Sequence, residues 1–214
     1  SVVIGAVGTV AGILMAQFIG ADDSKEVWCS FDISLICGLI ISAIFLFASG
    51  LFPAQILGFY TKDMRIINVG AIYFKIIAFS YVPMAVSIIL SSWLRCKEYA
   101  TIPLLASFGA VVVNTGLNYV LIFGKLGFAA MGIKGAAIAT LISQLFNLAF
   151  IIIGFILSIR KDKDKPVLSL HFKKITIKDY LIMIMPILIS EFLWSLGQNV
   201  ESAVYGHLGT SNLA

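Results

Sequence analysis

The sequence predicts an all-α protein, a polytopic membrane helix bundle. Three observations carry that prediction. Of 214 residues, 60% are hydrophobic and only 12% are charged, about half the charged share of a soluble domain. The mean hydropathy is +1.01, too apolar for a chain that must cover a water-facing surface. The charges are also clustered: Ser1–Ala21, Ile33–Thr61, Ile76–Leu94, Tyr99–Gly124 and Gly135–Ile159 contain none. Each run reaches about 18 residues, enough for a helix to cross roughly 30 Å of hydrocarbon. The segment 180–205 makes a sixth, interrupted by Glu191 and Glu201. Barrel strands would be about half as long and strictly alternating. Lipid cannot satisfy backbone amides and carbonyls, so each span must be helical.

The elements follow in order. Span one, 1–21, carries Gly8, Gly12, Ala16 and Gly20 at four-residue spacing, a face of small residues that lets another helix approach. Span two covers 28–50, with Asp32 expected at its cytoplasmic interface. A connector over 51–68 contains Pro53 and LGFYTKDM, the pattern of an interfacial helical turn. Span three, 69–93, contains Pro83, which removes a backbone donor and predicts a kink. Spans four and five cover 99–124 and 135–159. Between them FGKLGFAAMGIKG reads as a short outer loop rather than a phosphate cradle, since it follows no strand. Span six covers 180–205.

Seven of the 15 Lys and Arg lie in the loop RKDKDKPVLSLHFKKITIKD, and basic loops mark the cytoplasmic side. That orientation puts Lys25, Arg95 and Lys97 inside as well, against Lys62, Arg65, Lys125 and Lys134 outside, with Lys75 near the outer end of its span. The basic loop is read as a solvated connector, and the net charge of +4 does not call for nucleic acid. Cys29, Cys37 and Cys96 form no CxxC pair and the two histidines have no ligand partner at useful spacing, so neither zinc nor a disulfide framework is supported. No enzyme signature is present. The chain lacks an initial Met and opens inside an apolar run, which reads as a segment of a longer protein.

Polar residues inside the spans are the candidate site. Glu191, Ser195, Gln198, Ser202 and Tyr205 fall on one face of span six, as their spacing dictates. Such a stripe faces a cavity or another helix rather than lipid. Glu191 is the foremost candidate, because an ionisable group at membrane depth is expensive and functional by default. Glu201 lies off the stripe, nearer the outer interface. In span four Asn114 and Asn118 are one turn apart, with Ser107 two turns before Asn114. In span five Thr140, Gln144 and Asn147 share a face. Their oxygens can ligate Na⁺, although spacing alone favours simple hydrogen bonding between helices.

Three stretches carry a resemblance. LNYVLIFGKLGFAAMGIKGAAIATLISQ is similar to the fifth and sixth helices of the multidrug and toxic compound extrusion (MATE) transporters. AQFIGADD resembles the end of their second helix. PILISEFLWSLGQNVESAVYGHLGTSNLA resembles their seventh. The resemblance implies one six-helix lobe, here incomplete, plus the first helix of a second lobe. Residues 1–159 then hold helices two to six of the N-terminal lobe, 160–179 the cytoplasmic basic inter-lobe loop, and 180–214 the first helix of the C-terminal lobe. The missing first helix and second lobe would complete the protein.

The implied function is a secondary active antiporter in the cell membrane, exporting organic, cationic compounds in exchange for H⁺ or Na⁺, with no other cofactor. The implied cation-coupling positions are Asn114, Asn118, Ala136 and Thr140, together with Glu191. Ser195, Gln198, Ser202, Tyr205 and Gln144 would line the substrate cavity. Two departures stand out: Asn118 occupies a position where many relatives have Asp, and CKEYA replaces the family's Gly-containing turn after LR. Rival readings are a flippase for lipid-linked oligosaccharides, disfavoured by spans nearly free of Arg and Lys, a non-transporting receptor or scaffold, and an intramembrane enzyme.

Overall fold

A computed structural model describes residues 2–58, 63–161 and 177–208, with the side chains of 177–179, 181, 199 and 201–208 outside the description. These residues form eight helices and, among them, no strand: α1 (Val2–Gly20), α2 (Ser24–Leu51), α3 (Pro53–Gly58), α4 (Met64–Ala78), α5 (Tyr81–Cys96), α6 (Thr101–Phe123), α7 (Ile133–Lys161) and α8 (Ile177–Leu208). The basic inter-lobe loop lies almost wholly outside the described residues.

Four helices, α1, α2, α6 and α7, are long and apolar enough to span a membrane, and the bent pair α4–α5 makes a fifth. α8 is the sixth expected span. It is 32 residues long, but its apolar stretch is the shorter Ile182–Gln198, at the lower end of the spanning range.

Most predicted boundaries shift by a few residues. The shift at α2 matters. Asp23 caps this helix by accepting from the Glu26 amide at 3.4 Å, a DSKE capping sequence. The helix therefore starts at Ser24, not residue 28, and Asp32 sits more than two turns inside it, half-buried. At the other end Pro53 opens α3, a short helix in the connector, where a missing N–H costs nothing.

Span three is longer than expected and broken rather than merely kinked. α4 and α5 meet at 43°. The break falls at Phe79–Ser80, one turn before Pro83, because Pro83 cannot donate to the carbonyl four residues back. Tight bonds turn the chain just before that carbonyl. The Ser80 amide and hydroxyl both donate to the Ile77 carbonyl, at 2.8 and 2.7 Å.

α5 lies at the centre and packs against α1, α2, α7 and α6, while α4 packs against α2, α3 and α7. The small-residue face of α1 works at two of its four positions. A Cβ on Gly8 would collide with Ile88 Cγ2. The close approach lets Ser92 Oγ donate to the Gly8 carbonyl at 2.9 Å and Cys96 Sγ to the Gly12 carbonyl at 3.3 Å. Gly20 has no such neighbour.

Trp28 of α2, Trp93 of α5 and Phe155 of α7 form one aromatic cluster, with Trp93 and Phe155 edge-to-face at 4.9 Å. Lys97 sits 5.9 Å over the Trp93 ring, within cation–π range. In the CKEYA turn Glu98 takes the left-handed conformation (φ 67°) that glycine favours, and the Tyr99 amide closes the turn on the Leu94 carbonyl at 2.8 Å.

Candidate functional site

Two separate groups of intramembrane polar residues emerge. The first lies between α6 and α7. A left-handed Gly124 ends α6, and the loop that follows returns the chain so that Gly135 passes the Leu121 backbone. A Cβ there would lie 2.7 Å from the Leu121 carbonyl oxygen. Close packing at this point sets the register of the two helices and faces their amides toward each other.

A directed hydrogen-bond chain results. Asn118 Nδ2 donates to Asn114 Oδ1 at 3.0 Å. Asn114 Nδ2 donates to Ser143 Oγ at 3.3 Å and Thr140 Oγ1 at 3.5 Å. Thr140 Oγ1 donates in turn to the Ala136 carbonyl at 2.9 Å, and Ser143 Oγ to the Thr140 carbonyl at 2.9 Å. Asn114, Thr140 and Ser143 face an open pocket of about 380 Å³, also lined by Ser107, Gln144 and Asn147.

The carbonyl oxygens Asn118 Oδ1 and Asn147 Oδ1 are buried without a hydrogen-bond partner. A buried acceptor left empty is costly. Here the unfilled groups are all neutral oxygens, the donor type that hard cations such as Na⁺ accept. None of the lining residues carries a carboxylate.

The structure thus brings Asn114, Asn118, Ala136, Thr140 and Gln144 to one place. Ser143, which sequence reasoning passed over, joins them. The signal was available, since Ser143 follows Thr140 by three residues and shares its helix face, but a serine in an apolar helix ordinarily bonds its own backbone.

Glu191 belongs to the second group. It lies 14 residues into α8, about 21 Å along the axis by the rise of an α-helix. Tyr180, Ile184, Ile187 and Leu188 precede it on the same face, and all four contribute to the core that includes α1 and α2. Tyr180 Oη donates to Ser34 Oγ of α2 at 3.3 Å, fixing the rotation of α8 near its start. Glu191 and Ser195 continue that face and are half-buried, whereas Phe192, Leu193 and Trp194 are exposed.

Glu191 lines an open hollow of about 430 Å³ with Ser190 and Trp194. Gln198 is exposed. The side chains of Ser202 and Tyr205, like that of Glu201, lie outside the described residues. α8 packs against α1, and no residue of α8 lines the α6–α7 pocket. Glu191 and the amides thus line two different hollows.

Comparison with known proteins decides the family. The family model MatE matches residues 2–120, more than half of the chain. The chain belongs to the MatE family. Among curated relatives it is 29% identical over 138 residues to a probable multidrug resistance protein NorM of Thermotoga maritima, covering 63% of this chain and 29% of that one. It is 27% identical over 177 residues to the probable multidrug resistance protein YoeA of Bacillus subtilis, covering 83% and 36%.

Among solved structures it matches a MATE transporter in the bent conformation with a TM-score of 0.77 at 20% identity, over 92% of this chain and 43% of that one. An inward-facing multidrug resistance MATE family transporter matches at 0.75 and 21% identity, over 89% and 42%. The chain thus spans about a third of the length of the curated relatives and under half of the solved chains. As a MatE member it is a multi-pass membrane protein, and its helices take the MATE fold.

Proposed function

We propose that the protein of which this MatE chain is part is a secondary active antiporter that exports organic, cationic compounds in exchange for H⁺ or Na⁺. The relatives' names as multidrug resistance proteins support export of organic solutes. The observation that carries the coupled mechanism is Glu191, a carboxylate midway along an apolar helix, on the face that packs toward α1 and beside an open hollow.

The reasoning is one of differential affinity. A carboxylate in a water-accessible vestibule binds a cation or a cationic solute, and the two compete for it. If the two orientations of the transporter differ in affinity for each, binding of one drives release of the other. The α6–α7 pocket has a different part. Asn118 is an amide and cannot carry a proton, so the pocket contributes neutral oxygens for Na⁺ or for a solute's N–H groups. Proton exchange, where it operates, runs through Glu191.

The test is Glu191→Gln in the full-length protein, reconstituted in vesicles with imposed H⁺ and Na⁺ gradients. The substitution keeps the shape and removes the charge. Ion-driven efflux of a cationic dye is expected to fall at least ten-fold with unchanged expression and monodispersity. Wild-type flux in that variant would take Glu191 out of the mechanism.

A further inference from the structure

The groove between the outer end of α2 and the broken span holds a cation that the transport reading does not use. Its walls are Leu46, Phe47 and Leu51 of α2 and Ala78 and Phe79 at the end of α4, enclosing about 390 Å³. Phe47, Leu51 and Phe79 are exposed. Lys75 is the one charged residue among those lining it, and it too is exposed.

No element packed against α4 offers Lys75 a counter-charge at this level. α3 and α7 contain no acidic residue, and the acids of α2 are confined to Glu26 and Asp32 near its opposite end. Asp32 lies 14 residues before Leu46, about 21 Å away along the helix. On α4 itself the nearest acid is the N-cap Asp63, which already accepts from the Arg65 amide at 2.8 Å.

The groove's height follows from the same rise. Leu46 to Leu51 are the last residues of α2, so the groove lies within about 8 Å of its outer end. The distribution of Lys and Arg in the sequence puts the basic inter-lobe loop on the cytoplasmic side, and on that orientation this end of α2 belongs to the outer leaflet. A lysine stem can lie along apolar walls and lift its ammonium to this level. An isolated cation above an exposed apolar groove is complementary to a molecule with an anionic head and hydrocarbon tails.

We propose that this groove seats an anionic phospholipid of the outer leaflet. An acyl chain lies between Phe47 and Phe79, and the phosphate is held by Lys75. The lipid closes the notch left where the span breaks. This reading is independent of the transport mechanism, since it uses neither Glu191 nor the amide pocket.

The experiment is native mass spectrometry of the full-length protein after exchange into mixed phosphatidylglycerol and phosphatidylcholine. Retention of phosphatidylglycerol over phosphatidylcholine is expected, falling about five-fold in Lys75→Gln, the effect of one lysine near an anionic lipid surface. Lys75→Arg keeps the charge and should retain the lipid, which separates charge loss from misfolding. Equal retention of the two lipids by the wild type, or undiminished phosphatidylglycerol on Lys75→Gln, overturns the proposal. A second reading addresses the other possible occupant. Phe79→Trp, taken as the difference from the parent protein, should be quenched by brominated phosphatidylglycerol. Absence of that added quenching means that protein fills the groove, and also overturns it.

Discussion

α1 and α6 are both apolar helices of about twenty residues, yet they meet different surroundings. In α1, 44% of the most apolar window is buried inside the lobe; in α6 only 11% is. The α1 side chains Ile4, Val7, Val10, Leu14 and Met15 are almost wholly enclosed by neighbouring helices, while Leu104 and Phe108 of α6 are 67% and 68% exposed. Hydropathy alone does not decide which is enclosed, because a lipid tail is as apolar as leucine and gives no hydrophobic drive for one helix to seek another. Small residues and hydroxyls do distinguish them. α1 presents Gly8 and Gly12 to the hydroxyl and thiol of α5. α6 presents its amides to α7 and its large apolar residues outward.

Three substitutions probe that contrast. The largest effect belongs to Trp93→Ala, at the centre of the packed half, where the ring is fully buried against Trp28 and Phe155. The cavity it leaves should cost about 3–5 kcal/mol, read as a fall in melting temperature of the detergent-solubilised protein. A loss below about 1 kcal/mol would mean that the aromatic cluster is not what joins α2, α5 and α7.

Next comes Asn114→Ala, which cuts the side-chain hydrogen bonds from Asn114 of α6 to Thr140 and Ser143 of α7. Interhelical bonds in membranes are worth about 0.6 kcal/mol on average and up to about 1.7, so a loss near 1 kcal/mol is expected. Asn114→Ser, with a hydroxyl too short to span both partners, should fall between the alanine variant and the wild type in the same melting assay.

The smallest effect is expected for Phe108→Ala, within about 0.5 kcal/mol if the ring faces acyl chains. A loss of 2 kcal/mol or more in the full-length protein would show that α6's exposed face is covered by another helix. That result would sharpen the contrast, turning a lipid-facing surface into an interface.

The spans were legible because the demand for internal backbone hydrogen bonding is absolute in hydrocarbon, and charge-free runs of sufficient length record it directly. The break in the third span was legible only as Pro83. Its position one turn earlier follows from where the lost acceptor lies, a point that the residue's identity alone does not display. Asp32 does not begin its helix, because the DSKE cap starts α2 sooner than the apolar run suggests. The site was half legible. Asn114, Asn118 and Thr140 could be paired by helical spacing once their helices were known to be neighbours. Ser143 was hidden by its small size. That Glu191 stands apart from the amides depends on α8 packing against α1, a tertiary fact that no periodicity within α8 encodes.

The break between α4 and α5 has a mechanical consequence. The Ile77 carbonyl accepts from both the amide and the hydroxyl of Ser80, so the joint leaves this acceptor nothing to gain by straightening. The elbow is therefore closed by its own residues, with the Ile77 carbonyl satisfied before any neighbouring helix is reached.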